Sequence, residues 1–173
     1  MRSLEMLTHQ LTAQVLTATA FASFGDVIAA APGRGTAINA GSAQRFDDQT
    51  ELDVHAEGGM PCVTIFRTGE EAHCAPYHLR LFERHRLGSQ TFVPLGQGRC
   101  LAVVTLGETA PDESAIQAFI VEPGQGITLR RGVWHHPLIT LGGADVLVVE
   151  RRAAEVDCEI VPVVGQFVVG LAE

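Results

Sequence analysis

The stretch Cys100-Leu101-Ala102-Val103-Val104-Thr105-Leu106 is an apolar run centred on two valines. A second run, Val146-Leu147-Val148-Val149, has the same character. Runs of this length and composition are typical of buried β-strands. We expect each of them to be buried on both faces, or to have one face in the core and the other in an interface.

Similar signals recur along the chain, each a short segment rich in Val, Ile, Leu, Phe or Thr and most of them bounded by Gly or Pro. This spacing indicates a mainly β protein, either a closed barrel or a sandwich. The predicted strands are Gly25–Ile28, a strand near Ile38, Pro61–Arg67, Tyr77–His85, Gln90–Pro94, Cys100–Leu106, Gly126–Leu129 and Asp145–Arg151.

One or two short helices are expected to interrupt these strands. The segment Pro111–Ile120 begins with proline and acidic residues and has apolar residues three to four positions apart. That pattern predicts a short helix capped by Asp112. Residues 12–30 predict an opening turn or short helix followed by the strand Gly25–Ile28.

The composition excludes several classes of protein. The 173 residues suit a single domain, 1–173, and 46% of them are apolar. The formal charge of −8 argues against a nucleic-acid partner and an anionic membrane surface. A small anionic substrate stays possible, because a local arginine pair can hold a carboxylate inside an acidic protein.

Compartment and thiol state are also expectations from the sequence. The N-terminal residues lack the apolar run of a signal peptide, and no stretch approaches the ~20 apolar residues of a membrane span, so we expect a cytoplasmic protein. The cysteines Cys62, Cys74, Cys100 and Cys158 are far apart and contain no CxxC pair. We expect reduced, mostly structural thiols.

Polar residues gather in the stretch Glu83-Arg84-His85-Arg86-Leu87-Gly88-Ser89-Gln90. In a strand, Glu83 and His85 project to one face, and Gln90 follows a turn. If that face lines a barrel, a carboxylate, an imidazole and an amide converge on one space. The alternative is a solvated strand end, because Arg84 and Arg86 alternate with them.

A second candidate stretch, Gly132-Val133-Trp134-His135-His136-Pro137, holds the single tryptophan and a histidine pair. On a strand the two histidines point to opposite faces, so one of them at most sees a given cavity directly. The alternative is that one histidine packs under Trp134 as a core residue.

The spacing Gly126–x5–Gly132–x2–His135 resembles the second motif of cupins, in which the histidine binds a metal. Glu83, His85, Gln90 and Gly96 stand where the first cupin motif has two histidines, a glutamate and a glycine. The resemblance implies a cupin-type double-stranded β-helix barrel. It also implies a mixed ligand set of Glu83, His85, Gln90 and His135, acceptable for Ni, Mn, Fe or Zn. A site without metal is the alternative, and no organic cofactor is expected.

A more specific resemblance covers most of the chain. The segments Glu83–Leu95 and Arg131–Leu138 resemble the signature segments of the ureidoglycolate lyase family. Segments in the right order that are similar to other parts of that family are Ala20–Ile28, Ile38–Gly41, Arg45-Phe46, Phe66-Arg67, Pro111–Phe119 and Gly124–Gly126.

The family resemblance implies conversion of (S)-ureidoglycolate to glyoxylate and urea during allantoin breakdown, by a protein that is typically a homodimer. Cleaving the C–N bond requires a base, an acid and groups that hold the carboxylate. The catalytic candidates are Glu83, His85, His135 and His136. The substrate-binding candidates are Asn39, Arg45, Arg67, Ser89, Gln90, Arg131 and Trp134, although Trp134 could equally fill the core.

Two other functions remain open at this stage. A cupin barrel could act on another small ureido- or oxo-acid, because fold alone does not fix substrate. A non-catalytic small-molecule sensor could also keep the barrel and its pocket. The apolar segments Ile160–Val164 and Phe167–Val169 could pair with a partner chain in a homodimer, or form ordinary core strands.

Overall fold

The computed structural model describes residues 7–69 and 75–171. These residues form sixteen strands, one four-residue helix and three single 3-10 turns. The strands in the first half of the chain are β1 (Thr8–Val15), β2 (Gly25–Ala29), β3 (Thr36–Ile38), β4 (Ala43–Arg45), β5 (Met60–Thr68), β6 (Tyr77–His78) and β7 (Leu81–Arg84). Those in the second half are β8 (Gln90–Pro94), β9 (Cys100–Thr105), β10 (Gln117–Val121), β11 (Gln125–Leu129), β12 (Trp134–His135), β13 (Ile139–Thr140), β14 (Ala144–Arg152), β15 (Glu159–Pro162) and β16 (Gln166–Leu171). The helix, α1, is Ala18–Phe21, and the 3-10 turns are Asn39–Gly41, Ala56–Gly58 and Glu113–Ala115.

Two sheets form the body of the molecule. The larger has the order β15-β7-β12-β9-β10-β1-β16-β6, with β13 also paired to β9. The smaller, which we call the five-stranded sheet, has the order β2-β11-β8-β14-β5. Strands β3 and β4 form a separate two-stranded arm. The mainly β prediction is confirmed, and the facing, curled sheets agree with the expected cupin-type barrel.

Alternate residues of the central strands enter two different cores. Phe92 and Val148 of the five-stranded sheet pack with Val104 and Phe119 of the larger sheet. The residues of β9 that point the other way, Leu101 and Val103 among them, pack in a second cluster that includes Trp134 and Val169. Strand β9 is therefore buried on both faces, as its continuous apolar run predicts.

Strand β14 is not buried on both faces, and it follows the second arrangement expected from its apolar run, with one face in the core. Val146 and Val148 are fully buried, whereas Leu147 and Val149 are only half-buried. One face of β14 lies in the core and the other lies on the outside of the five-stranded sheet.

The helix predicted over Pro111–Ile120 is mostly wrong. Asp112 does cap a turn, since its carboxylate accepts from the backbone N–H of Ser114, but that turn is a single 3-10 turn. Residues from Gln117 onward form β10, which pairs with β9 and β1. Apolar residues three to four positions apart also fit a strand that is buried on both faces, and the two flanking strands supply its backbone hydrogen bonds.

Other predicted strands are confirmed with small shifts at their ends, apart from Tyr77–His85. That segment is two strands, because β6 pairs with β16 whereas β7 pairs with β12 and β15. In the C-terminal segments, Phe167 and Val169 are buried within their own chain, because β16 lies between β1 and β6. The core-strand interpretation is therefore correct for β16.

The thiols of Cys62, Cys100 and Cys158 are free, and Cys74 lies outside the described residues. Cys100 is fully buried, and burial raises the pKa of its thiol to about 12. Among the described residues, none of the helices has the length and apolar character needed to cross a bilayer.

Candidate active site

The first and second candidate stretches meet where β7 pairs with β12. In this antiparallel pair His135 lies directly opposite Glu83, so both side chains project from the same face. His85 follows β7 two residues after Glu83, and its ring centroid lies 5.5 Å from that of His135. One ligand atom from each of Glu83, His85 and His135 lies within 4.8 Å of the others. We call these three residues the Glu-His-His cluster.

Both histidines of the cluster are oriented by backbone carbonyls. Nδ1 of His135 donates to the carbonyl of Val133 at 3.1 Å, and Nδ1 of His85 donates to the carbonyl of Asp157. A ring that donates from Nδ1 keeps a lone pair on Nε2 when it is neutral. Neither Nε2 has a hydrogen-bond partner among the described residues, and both atoms are buried.

Glu83 supplies the negative charge of the cluster. Its Oε1 lies 3.4 Å from Nε2 of His135, and its Oε2 accepts from the Cys158 thiol at 3.8 Å. Burial alone would raise the pKa of Glu83, but the contacts with His135, His85 and Cys158 outweigh it and hold that pKa below its usual value. The carboxylate is ionised at neutral pH. A cation between Oε1 of Glu83 and Nε2 of His135 would be stabilised by both atoms.

Gln90 adds a fourth polar side chain to this side of the barrel. It is buried on β8, and its Nε2 donates to Oε2 of Glu150 at 2.8 Å. Its Oε1 is buried and has no partner among the described residues. Phe92, two residues further along the same face, lies with its ring centroid 6.4 Å from that of His135. Gln90 therefore lies on the same inner face of β8 as Phe92, on the sheet opposite the Glu-His-His cluster.

These groups fit a divalent cation. Three buried acceptor atoms make no hydrogen bond within the described chain, namely Nε2 of His85, Oε1 of Gln90 and Nε2 of His135, which has only Oε1 of Glu83 nearby at 3.4 Å. Together with the Glu83 carboxylate they form a mixed nitrogen and oxygen set, of the kind that Ni, Mn, Fe or Zn accepts. In metal sites, a histidine ligand usually donates its other ring N–H to a carboxylate or a backbone carbonyl, and His85 and His135 both donate to carbonyls here.

A segment that the sequence did not single out holds the cluster in place. The Asp157 carboxylate accepts from the backbone N–H groups of Arg86 at 2.9 Å and Leu87 at 2.6 Å. Glu159 pairs with Arg84 at 2.8 Å and with Arg86 at 2.9 Å, and these two guanidinium groups lower the pKa of Glu159 to about 2. We call residues 157–159 the C-terminal strap, because they tie β15 to the end of β7.

Trp134 is a core residue and does not line the site. Its side chain is fully buried, and its indole N–H donates to the carbonyl of Gly107 at 3.0 Å. The guanidinium of Arg84 lies 4.1 Å from the centroid of the Trp134 ring and is itself buried. Arg84 is therefore buried, so the alternative of a solvated strand end does not hold for it. The residue that packs on the Trp134 ring is Arg84, not a histidine.

His136 does not join the Glu-His-His cluster. Its Nε2 accepts from the backbone N–H of Arg80 at 3.2 Å, and its Nδ1 donates to the carbonyl of Pro137 at 2.8 Å. The two adjacent histidines are directed differently, as expected for a strand, and His135 is the one that faces Glu83.

The arginines proposed as substrate ligands are paired elsewhere. Arg131 forms a bidentate pair with Asp53, and this contact holds the pKa of Asp53 below its usual value. Arg67 forms a bidentate pair with Asp145, with distances of 2.6 and 2.7 Å. Because Asp145 precedes Glu150 by five residues on β14, Arg67 lies about 17 Å along the sheet from the Gln90–Glu150 pair.

The remaining candidates support loops. Arg45 pairs with Asp47, and Asn39 lies exposed in the turn of the β3–β4 arm. Ser89 is buried, and its hydroxyl accepts from the backbone N–H of Asp53 at 2.9 Å. The structure therefore brings none of these three side chains to the Glu-His-His cluster.

Glu150, Asp157 and Cys158 are the site residues that sequence reasoning missed. Glu150 could have been found from the sequence. It follows Val146 and Val148 at every second position of a strand, so its side chain points to the same inner face as theirs. Asp157 and Cys158 had no such signal, because they follow an irregular loop after β14 and approach the cluster only through the pairing of β15 with β7.

Comparisons with a family model and with individual proteins point to the same family. The family model described as ureidoglycolate lyase matches residues 8–169. A protein named ureidoglycolate lyase from Burkholderia cepacia is 42% identical over 158 residues, which are 90% of this chain and 87% of that protein. Its namesake from Burkholderia mallei strain NCTC 10229 is 43% identical over 142 residues, 82% of each chain. Another, from Pseudomonas syringae pv. tomato, is 38% identical over 150 residues, 86% of this chain and 87% of the other.

Among solved structures, a Lactobacillus farciminis oxalate decarboxylase in complex with formate matches with a TM-score of 0.39 and 10% identity. The match covers 59% of this chain and 27% of the decarboxylase, and it is too distant to support a conclusion.

The thiol of Cys158 should report the charge of Glu83. Burial first, and then the neighbouring Glu83 carboxylate, raise the pKa of Cys158 above its usual value, so little reactive thiolate is present near pH 8. We expect Glu83→Gln to lower that pKa and to speed alkylation of Cys158 by iodoacetamide at fixed pH. The measurement is the pH dependence of the alkylation rate, followed by peptide mass spectrometry on chelator-treated protein.

Glu122→Gln is the matched control, because Glu122 pairs with Arg99 and makes no contact with Cys158. An alkylation profile of Cys158 that is the same in both variants would show that its thiol does not sense Glu83.

Proposed function

The chain belongs to the ureidoglycolate lyase family, and we propose that it cleaves the C–N bond of (S)-ureidoglycolate to give glyoxylate and urea in allantoin breakdown. Membership of a lyase family makes it an enzyme of the lyase class. The observation that carries the proposal is the convergence of Glu83, His85 and His135 on one buried space. The carbon–nitrogen (amidine-type) reaction and its two products are the finer part of the proposal.

The proposed substrate has one carbon that carries a hydroxyl, a carboxylate and a ureido nitrogen. In the reaction the hydroxyl loses its proton, the C–O bond becomes the glyoxylate carbonyl, and the C–N electron pair leaves with the nitrogen. The nitrogen takes up one proton and departs as urea. The site must therefore accept one proton, return one proton and hold a small anion.

Glu83 is the group we assign to proton transfer. Its lowered pKa leaves it ionised at neutral pH, so it can accept the hydroxyl proton. Oε1 lies towards His135, whereas Oε2 lies towards Cys158, so the carboxylate can contact the histidines with one oxygen and take the proton on the other. The same carboxyl then returns that proton to the departing ureido nitrogen, which balances the reaction.

The substrate carboxylate needs positive charge, and the arginines that the sequence suggested are paired with acids. We propose that a divalent metal ion, Ni, Mn, Fe or Zn, meets this need, held by His85, His135, Gln90 and Oε1 of Glu83. A metal ion bound there would polarise the hydroxyl and carboxylate oxygens of the substrate. The buried acceptor atoms of His85, His135 and Gln90, which make no hydrogen bond in the described chain, support this assignment.

Release of glyoxylate from ureidoglycolate tests the proposed activity. We expect the purified protein to release glyoxylate well above the spontaneous rate, chelator treatment to lower the rate, and added Ni²⁺ or Mn²⁺ to restore it. Release at the spontaneous rate with every metal tried would contradict the lyase proposal. Binding of ureidoglycolate without turnover would instead favour a sensor, and turnover of a different ureido- or oxo-acid would favour the related cupin enzyme.

Replacing the proposed proton-transfer group should slow the chemical step. Glu83→Gln keeps the size of the side chain but removes the base, so we expect kcat to fall by about 10²–10⁴-fold. Glu122→Gln, the same substitution in a surface ion pair, should leave kcat within about twofold of the wild type. Steady-state kinetics and a thermal melt of both variants make the comparison. A Glu83→Gln enzyme with wild-type kcat would remove Glu83 from proton transfer.

We also propose that the protein is a homodimer that associates through the outer face of the five-stranded sheet. Val63 and Ile65 on β5 are 66% and 49% exposed, and they lie beside the outward Val149 and Leu147 of β14. β5 is the last strand of its sheet in the described chain, so its outer edge keeps unpaired backbone groups. A contiguous apolar face of this kind is typical of an interaction surface.

A charge placed in this face should weaken self-association. We expect Val63→Lys to shift the protein from dimer to monomer, measured by light scattering after size-exclusion chromatography. Val15→Lys is the control, because Val15 is 76% exposed but lies on β1 in the larger sheet. A monomeric wild type, or a Val63→Lys protein as dimeric as the wild type, would contradict the proposed interface.

A further inference from the structure

Glu150 is a second carboxylate on the inner side of the barrel, and the mechanism above does not use it. It lies opposite Gln90 on β8 and opposite Cys62 on β5. On β14 it continues the inward face of Val146 and Val148, both of which are fully buried. The side chain of Glu150 therefore extends over the same inner face as Gln90, which it contacts.

The contact between these two side chains fixes the direction of the Gln90 amide. A carboxylate accepts hydrogen bonds and donates none, so the group that Gln90 turns towards Glu150, 2.8 Å away, must be its NH₂. The amide oxygen then has to point away from Glu150. This conclusion follows from the chemistry of the pair and does not depend on telling the amide nitrogen from the amide oxygen.

The Gln90 oxygen that points away from Glu150 is the atom available to bind a ligand of the site. Oε1 of Gln90 is buried and makes no hydrogen bond in the described chain, and the same holds for Nε2 of each cluster histidine. A reversed amide would present two N–H donors in place of this acceptor. Donors there would repel a cation and would change which atoms of a substrate the site can bind.

We propose that Glu150 is a positioning residue, which holds the Gln90 amide so that its oxygen, and not its nitrogen, faces the Glu-His-His cluster. Glu150 acts through Gln90 and does not itself exchange a proton with substrate. The arrangement keeps a full negative charge one side chain behind a neutral ligand. The inference deepens the proposed function and shares its site, but it concerns the orientation of one amide.

A swap of the two residues separates positioning from the other roles that Glu150 could have. In Glu150→Gln the neighbour can either donate or accept, so the Gln90 amide is no longer held in one orientation. In the double variant Gln90→Glu/Glu150→Gln the hydrogen bond is rebuilt with exchanged partners, and an oxygen again faces the cluster. Asp145→Asn is the control, because it removes a carboxylate from the other end of the same strand.

Two measurements are made on each protein, Ni²⁺ affinity by calorimetry and kcat/KM for glyoxylate release, with a thermal melt to confirm folding. We expect Glu150→Gln to lose about 10–100-fold in both, as for residues that support a metal ligand. The double variant should recover most of that loss, and Asp145→Asn should match the wild type.

Wild-type values in Glu150→Gln would overturn the proposal, because the orientation of the amide would then not matter. A double variant no better than Glu150→Gln would also overturn it, because Glu150 would then act directly and not through Gln90. The proposed lyase activity fails separately: a wild type that binds Ni²⁺ without releasing glyoxylate contradicts that activity, while the Ni²⁺ affinities still decide the role of Glu150.

Discussion

The candidate site depends on the register that places His135 opposite Glu83 where β12 pairs with β7. A slip of one residue would turn every side chain of the short strand β12 to the opposite face and would bring His136 towards the cluster. The reverse face guards against this slip, because Trp134 packs there with its indole N–H bonded to Gly107 and with Arg84 over its ring. The residues that make the site and the residues that fix its register thus alternate along the same two strands.

The same register explains why the site consists almost wholly of acceptors. Backbone carbonyls take the Nδ1 protons of both histidines, and Glu150 takes the NH₂ of Gln90, so lone pairs remain on the inward side. In a buried space such lone pairs are costly unless a cation, a proton or a donor from a ligand meets them. In the proposed function this requirement is met by a divalent cation and by the hydroxyl and N–H groups of the proposed substrate.

The C-terminal strap extends this support beyond the central strands. Through Asp157 it binds two backbone N–H groups after β7 and the ring of His85, and through Glu159 it neutralises the buried Arg84. Cys158, between them, contacts the Glu83 carboxylate. A segment of three residues, more than sixty positions after the first stretch in sequence, therefore influences both the orientation and the charge of the cluster.

The sequence by itself determined the mainly β architecture, most of the strands and the core of the site, because alternation and apolar runs report local burial, and the two motifs report their family. The sequence predicted that Glu83, His85 and His135 converge, as the structure shows, and it offered Gln90 as a fourth member of the candidate site. Only the tertiary structure decided that His135 and not His136 faces Glu83, that Trp134 and Arg84 belong to the core, and that Pro111–Ile120 is largely strand. It also assigned the candidate arginines to acidic partners and brought Glu150 and the C-terminal strap to the site. These are pairings between residues distant in sequence, and no local pattern of residue types specifies which strand, or which charge, a given side chain will meet.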